Sequence, residues 1–193
     1  MTTVIDPKNI TDFNRTDSQL EMFWLFCISV AGKNSDTTSK LLSVMFYSQQ
    51  DSPFDTLRHL GEDGIYKMLV ANHTGQYNRI SKAFTQSLTL DLRSCNLDDL
   101  LSIHGVGPKT ARFFLLHTRE DSKHAVLDTH ILKWMKDHGI DHAPDTTPQN
   151  KQTYIKYENM FYLLVQHYFP GLSLAQADLL IWTQQSGRLN EQS

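Results

Sequence analysis

Helix punctuation recurs along the whole chain, while the apolar/polar alternation of a half-buried strand is almost absent. Capping residues followed by apolar residues at intervals of three and four predict about ten helices and no sheet. Ser18-Gln19-Leu20-Glu21 has the capping-box spacing, and Leu20, Phe23, Trp24, Cys27 and Val30 follow at helical intervals before Gly32. Further helices are expected over 38–47, from Ser52-Pro53 to Gly61, over 64–71 and 77–87, and through Leu97 to Ile103 behind Asn96 or Asp98. After the turn His104-Gly105-Val106-Gly107, Pro108 suits the first position of a helix to His117. Asp128 should cap a helix carrying Ile131, Leu132 and Met135, Thr147-Pro148 should open a long one to Tyr168, and Ser173 should cap the last. The expected fold is all-α. The polar, Pro-bearing stretch 137–150 suggests a crossing between two helical lobes around a cleft, one formed by 1–34 plus 137–193 and the other by 35–136.

Composition narrows the function classes. At 193 residues with 40% apolar residues the chain can bury a core, so disorder and fibrous structure are excluded. No stretch reaches the roughly 18 consecutive apolar residues of a membrane span. Met1 to Arg15 is polar, without a basic start before an apolar run, which leads us to expect an intracellular protein, cytoplasmic or at the nucleoid; we further expect a monomer with no membrane partner. Two cysteines, Cys27 and Cys95, cannot build a disulfide framework, a four-thiolate zinc site or an iron–sulfur cluster. His124, His130, His138 and His142 do not fall on one helical face with a third ligand, so neither a metal nor another cofactor is expected. The formal net charge is −3, yet residues 105–140 carry 6 basic and 4 acidic side chains, which leaves room for a local polyanion site.

That segment holds the informative motif. In Ile103-His104-Gly105-Val106-Gly107-Pro108-Lys109-Thr110-Ala111, two glycines let the backbone turn sharply and approach another surface closely. The next helix then offers unpaired N–H groups and a positive dipole end. Such a hairpin suits a phosphate and reads no base, so His104, Gly105, Val106, Gly107 and Thr110 are candidates for contact with a DNA backbone. A plain glycine-rich turn between helices would fit the same residues.

Lys109 lies in the first turn of that helix and Asp128 follows 19 positions later at the start of another. A lysine at a positive helix end, shielded from water, is disfavoured as ammonium, and its free amine is a nucleophile. An aspartate at a helix N-terminus is held as carboxylate and can stabilise a cationic transition state or accept a proton. Together they suit chemistry at an anomeric carbon. The carboxylate would stabilise an oxocarbenium-like state during base loss and the amine would capture C1′ as a Schiff base. Taken singly, Lys109 fits a phosphate-pairing lysine and Asp128 fits an N-cap.

Residues 103–111, followed by Val126-Leu127-Asp128-Thr129-His130-Ile131, resemble the helix-hairpin-helix DNA glycosylase superfamily, with a lysine where its bifunctional glycosylase/lyase members carry one. Endonuclease III and adenine-mismatch glycosylases typically have a four-cysteine cluster that this chain cannot form. The chain is more similar to the short, cluster-free 8-oxoguanine DNA glycosylase/lyase family best known from archaea. That similarity extends to Phe26-Cys27-Ile28 and to Ala177-Asp178-Leu179-Leu180-Ile181-Trp182 with Ser186-Gly187-Arg188. It implies double-stranded DNA containing a damaged base as the partner, Trp182 stacking on an extruded base and Asp178 shaping its pocket. Gln76, with Tyr77 beside it, stands where the family places a second stacking aromatic. Extrusion leaves a gap that some side chain must fill. By the superfamily's layout Lys33 or Asn34 takes that role, with Gln49-Gln50 as a competitor.

The expectation is thus a bifunctional base-excision repair enzyme, removing an oxidised purine, most simply 8-oxoguanine, and nicking by β-elimination. The same chemistry on oxidised pyrimidines or at abasic sites, and a non-catalytic DNA-binding hairpin module, remain alternatives.

Overall fold

The computed structural model describes residues 5–46 and 52–186; Tyr47, the pair Gln49-Gln50, Gly187 and Arg188 lie outside them. Among the described residues there are nine α-helices and no strand, in accord with the all-α expectation. None of these helices is long and apolar enough to cross a membrane. The chain divides into two compact units, Met1–Val106 and Gly107–Ser193.

The first unit contains α1 (Asp17–Ser29), α2 (Ser35–Phe46), α3 (Pro53–Ala71), α4 (Tyr77–Ser87) and α5 (Leu97–Leu101). Helix α1 is capped two residues before the expected Ser18. Thr16 takes that role, its hydroxyl accepting from the Gln19 amide while the Gln19 side chain accepts from the Thr16 amide. The capping box is therefore Thr16/Gln19 and not Ser18/Glu21, because Gln19 completes the same reciprocal pair earlier in the chain. Phe23, Trp24, Leu25, Phe26, Cys27 and Ile28 are consecutive and all buried. A helix apolar all round must be covered on every side, and α2, α3 and α4 pack on α1. The Trp24 indole N–H donates to Ser87 Oγ at 2.7 Å, so burial of the ring leaves no orphan donor. Gly61, at φ 62°, ψ 177°, is non-helical and interrupts α3, so the two helices expected on either side of it meet there at a kink.

The second unit contains α6 (Pro108–Thr118), α7 (Thr129–Asp137), α8 (Lys151–Tyr168) and α9 (Leu174–Gln185). Helix α9 packs against α6, α7 and α8 and is the centre of this unit. Helix α8 starts behind Asn150, whose side chain accepts from the Thr153 amide, and not at Thr147-Pro148. Thr147 is drawn elsewhere: its hydroxyl donates to the Leu127 carbonyl at 2.7 Å. The units follow a different division from lobes 1–34 plus 137–193 and 35–136. Helix α1 finds its cover on α2, α3 and α4, and α9 finds its own on α6, α7 and α8.

Candidate active site

The first unit holds the approach to the hairpin. Asn96 caps α5 through a capping box with Asp99, which settles the choice between Asn96 and Asp98. The chain then turns through Ile103, His104, Gly105 and Val106. The His104 amide donates to Gln86 Oε1 at 2.7 Å and the Val106 amide to the Ile103 carbonyl at 3.1 Å, so neither amide is free for a phosphate. His104 and Gly105 are exposed while Val106 is buried. Gly105 has φ +73°, a left-handed backbone that side chains rarely adopt, and a Cβ there would lie 2.5 Å from Arg79 Cγ.

Arg79 was not anticipated from the sequence, and it organises this unit. Its Nε donates to Gln76 Oε1 at 2.6 Å, Nη1 to the Gly105 carbonyl at 3.2 Å and Nη2 to the Ile28 carbonyl at 2.9 Å. It therefore ties the hairpin glycine to the end of α1 and the start of α4. The turn before α4 is unusual, because His73 and Gln76 are non-glycine residues with φ of 51° and 50°. Such strain persists where surroundings over-determine it and is concentrated at functional sites. The Lys33 ammonium donates to the Thr74 carbonyl in this same turn at 2.6 Å, and burial, followed by the charge of Arg79, pulls its pKa below the ordinary lysine value. Lys33, Gln76 and Tyr77 are thus gathered around one turn. Tyr77 meets Tyr66 edge-on at 6.2 Å between ring centroids. Asn34 instead caps α2, accepting from the Thr37 amide at 2.9 Å.

The second unit holds the chemistry. Gly107 is the N-cap of α6 and brings no side chain to the first-turn amides, so among the described residues that end has no side-chain cap and suits an anion beside Lys109 and Thr110. Helix α6 brings the Lys109 Nζ to 3.8 Å from Asp128 Oδ2. The lysine side chain is 48% exposed, so it reaches solvent and is less shielded than expected; the Asp128 side chain is only 11% exposed. Asp128 caps α7 as the sequence indicates, with Oδ1 accepting from the His130 and Ile131 amides, each at 2.9 Å.

Asp178 and Trp182 lie one turn apart on α9. Trp182 is partly exposed and meets His130 edge-on at 6.1 Å between centroids. Asp178 is buried, and its Oδ1 has no hydrogen-bond partner among the described residues. Its Oδ2 lies 3.7 Å from Nε2 of the fully buried His117. Burial pushes the Asp178 carboxyl above the ordinary aspartate value; His117 opposes this, the Asp128 charge adds to it and Lys109 opposes it. Asp128 is fixed by amide donors, and Asp178 is held in a medium that favours its proton. Among the described residues no cluster of histidine, cysteine or carboxylate side chains could hold a metal ion.

No protein-family model matches the chain. Several solved structures do match. Methanocaldococcus jannaschii 8-oxoguanine glycosylase/lyase, in complex with a 15-mer DNA containing 8-oxoguanine, superposes with a TM-score of 0.70 at 21% identity over 93% of this chain and 88% of that one. The 8-oxoguanine DNA glycosylase from the same organism gives 0.70 at 20% identity, over 93% and 84%. The 8-oxoguanine DNA glycosylase of Thermotoga maritima gives 0.65 at 22% identity, over 88% and 80%. The chain has the all-helical fold of these archaeal and bacterial 8-oxoguanine DNA glycosylases.

Proposed function

We propose that the protein is a bifunctional DNA glycosylase/lyase of base-excision repair, acting inside the cell on double-stranded DNA that contains an oxidised purine, with 8-oxoguanine the favoured lesion. The observation that carries this reading is the Lys109–Asp128 pair at 3.8 Å, next to an uncapped helix end behind a glycine turn. The shared fold with 8-oxoguanine glycosylases supports the choice of lesion.

The duplex backbone would rest on the Gly105–Gly107 turn and the first amides of α6, with the target nucleotide extruded. Trp182 would stack on the extruded base, with Asp178 on the same face of α9. Departure of the base leaves positive charge on the sugar, which Asp128 Oδ2 would stabilise electrostatically. Lys109 Nζ would add to C1′ and give up a proton, and the nitrogen lone pair would then expel the ring oxygen, which takes up a proton as the 4′ hydroxyl, so that the imine forms directly. A base would then remove a C2′ proton, and the electron pair would expel the 3′ phosphate, which is the nick. Water would release the enzyme by hydrolysing the imine.

Duplexes carrying 8-oxoguanine, an oxidised pyrimidine or an abasic site, each incubated with and without borohydride, test the reading. The expected result is a covalent adduct and a nick with the 8-oxoguanine duplex. Preference for the pyrimidine lesion would move the substrate class, and reaction at the abasic site alone would remove the glycosylase step. Binding without any adduct would leave a DNA-holding hairpin module. Affinity should fall with salt as phosphate contacts release counterions.

A further inference from the structure

We infer that Tyr154, Glu158 and Arg112 are positioning residues, forming a side-chain frame that holds Asp128 at its distance from Lys109. This inference rests on Lys109 and Asp128 being the reacting pair. It starts from the segment that delivers Asp128. Ala125, Val126 and Leu127 are buried, yet belong to no helix or strand. Buried backbone polar groups must be satisfied somewhere; here the Asp128 amide takes the Val126 carbonyl at 2.8 Å, and side chains take the groups of Ala125 and Leu127. The Ala125 amide donates to Glu158 Oε1 at 2.9 Å and the Tyr154 hydroxyl donates to the Ala125 carbonyl at 2.9 Å. The Leu127 amide donates to the same Tyr154 oxygen at 3.1 Å, and Thr147 closes the set on the Leu127 carbonyl.

Tyr154 and Glu158 are one turn apart on α8, so one face of that helix replaces the missing neighbouring strand. The frame also reaches the helix of the nucleophile. Arg112, one turn after Lys109, donates through Nε to Glu158 Oε1 at 2.8 Å and through Nη2 to Oε2 at 3.3 Å, while its guanidinium lies over the Tyr154 ring at 4.0 Å. The lysine and the aspartate are therefore referred to the same two side chains of α8. Burial alone would raise the Glu158 pKa, but hydrogen bonds from His124, Arg112 and the Ala125 amide outweigh it and keep the group anionic. Burial raises the Tyr154 pKa, so its proton stays on the oxygen to be donated.

The experiment is a double-mutant cycle of Tyr154→Phe with Asp128→Asn. It is read as the single-turnover borohydride-trapping rate on an 8-oxoguanine duplex, where the base loss that Asp128 serves precedes trapping, alongside the Kd for a duplex with a reduced abasic analogue. Tyr154→Phe should slow trapping ~10- to 100-fold with Kd within about two-fold, and should cost nothing further when Asp128 is already Asn. A merely structural role would give equal fractional losses in both backgrounds. That result, or an unchanged trapping rate, overturns the inference. Thr147→Val removes a partly buried hydroxyl at the edge of the frame and runs through the same cycle if Tyr154→Phe does not fold. Absence of an adduct with the unaltered protein would instead count against Lys109 and Asp128 as the reacting pair. The frame would then be decided by the Lys109–Asp128 separation in crystals of Tyr154→Phe and Thr147→Val, which lengthens if the frame sets it and keeps its present value if not.

Discussion

Asp128 directs one carboxylate oxygen to the first amides of α7 and leaves the other 3.8 Å from the Lys109 Nζ. A single side chain thus acts as helix cap and as partner to the amine, and substitutions separate the two roles. Asparagine keeps the capping oxygen but loses the charge. Asp128→Asn should slow base release ~10²- to 10⁴-fold while leaving thermal stability nearly unchanged. Asp128→Ala should lose the same activity and about 1 kcal/mol of stability as well, read by urea denaturation. Equal stabilities of the two variants would deny the cap its energetic role.

Lys109 is half-exposed and its removal leaves no cavity, so its loss should be visible in chemistry and not in folding. Lys109→Gln should abolish the borohydride-trapped adduct and the nick, with an unchanged melting temperature. An adduct that survives in Lys109→Gln would assign the nucleophile elsewhere.

Gly105 should tolerate no side chain. Its φ of +73° already disfavours one, and the Arg79 side chain occupies the space where a Cβ would go. Gly105→Ala is expected to destabilise the protein by about 1–2 kcal/mol through backbone strain alone. It should also weaken duplex binding, because displacing Arg79 loosens the turn. Arg79→Met should reproduce the binding loss without the strain. Calorimetry with duplex titration separates the two, and full binding by Arg79→Met would remove the guanidinium from the hairpin's support.

Asp178 and Glu158 should contribute to pH dependence with opposite signs. The folded state raises the pKa of Asp178, so it binds a proton more readily than the unfolded chain. Its contribution is therefore fully present below the ordinary aspartate value and is lost as pH rises through the raised one. The folded state lowers the pKa of Glu158, so its contribution is present above the ordinary glutamate value and is lost as pH falls through the lowered one. Denaturation midpoints from pH 3 to 7 (roughly the carboxylate range) should show Asp178→Asn gaining stability relative to the parent as pH rises. Glu158→Gln should lose stability relative to the parent over the same interval. Parallel curves for Asp178→Asn and the parent would mean that burial does not hold its proton.

Much of what depends on residues close in the chain is legible in the sequence. Caps at Asp128 and Ser173, the proline start of α6, the glycine turn and the all-helical pattern arise from backbone amides meeting side chains a few positions away. Lys109 and Asp128 stood out for the same reason, since each sits at a helix start. Two local expectations missed: Thr16 and not Ser18 caps α1, because Gln19 completes the reciprocal pair there, and Asn150 and not Thr147 caps α8, the Thr147 hydroxyl being bonded to the Leu127 carbonyl. Arg79, which bonds residues 26 and 51 positions away, and the Arg112–Glu158 pair, 46 apart, left no periodic trace. Their partners are backbone carbonyls and a carboxylate met only when helices pack, and a hydrogen bond carries no signature in the spacing of apolar residues. The sequence by itself determined the helices and the chemistry at their ends. Tertiary structure alone decided which distant side chains would satisfy the buried backbone before Asp128, because no strand was there to do so.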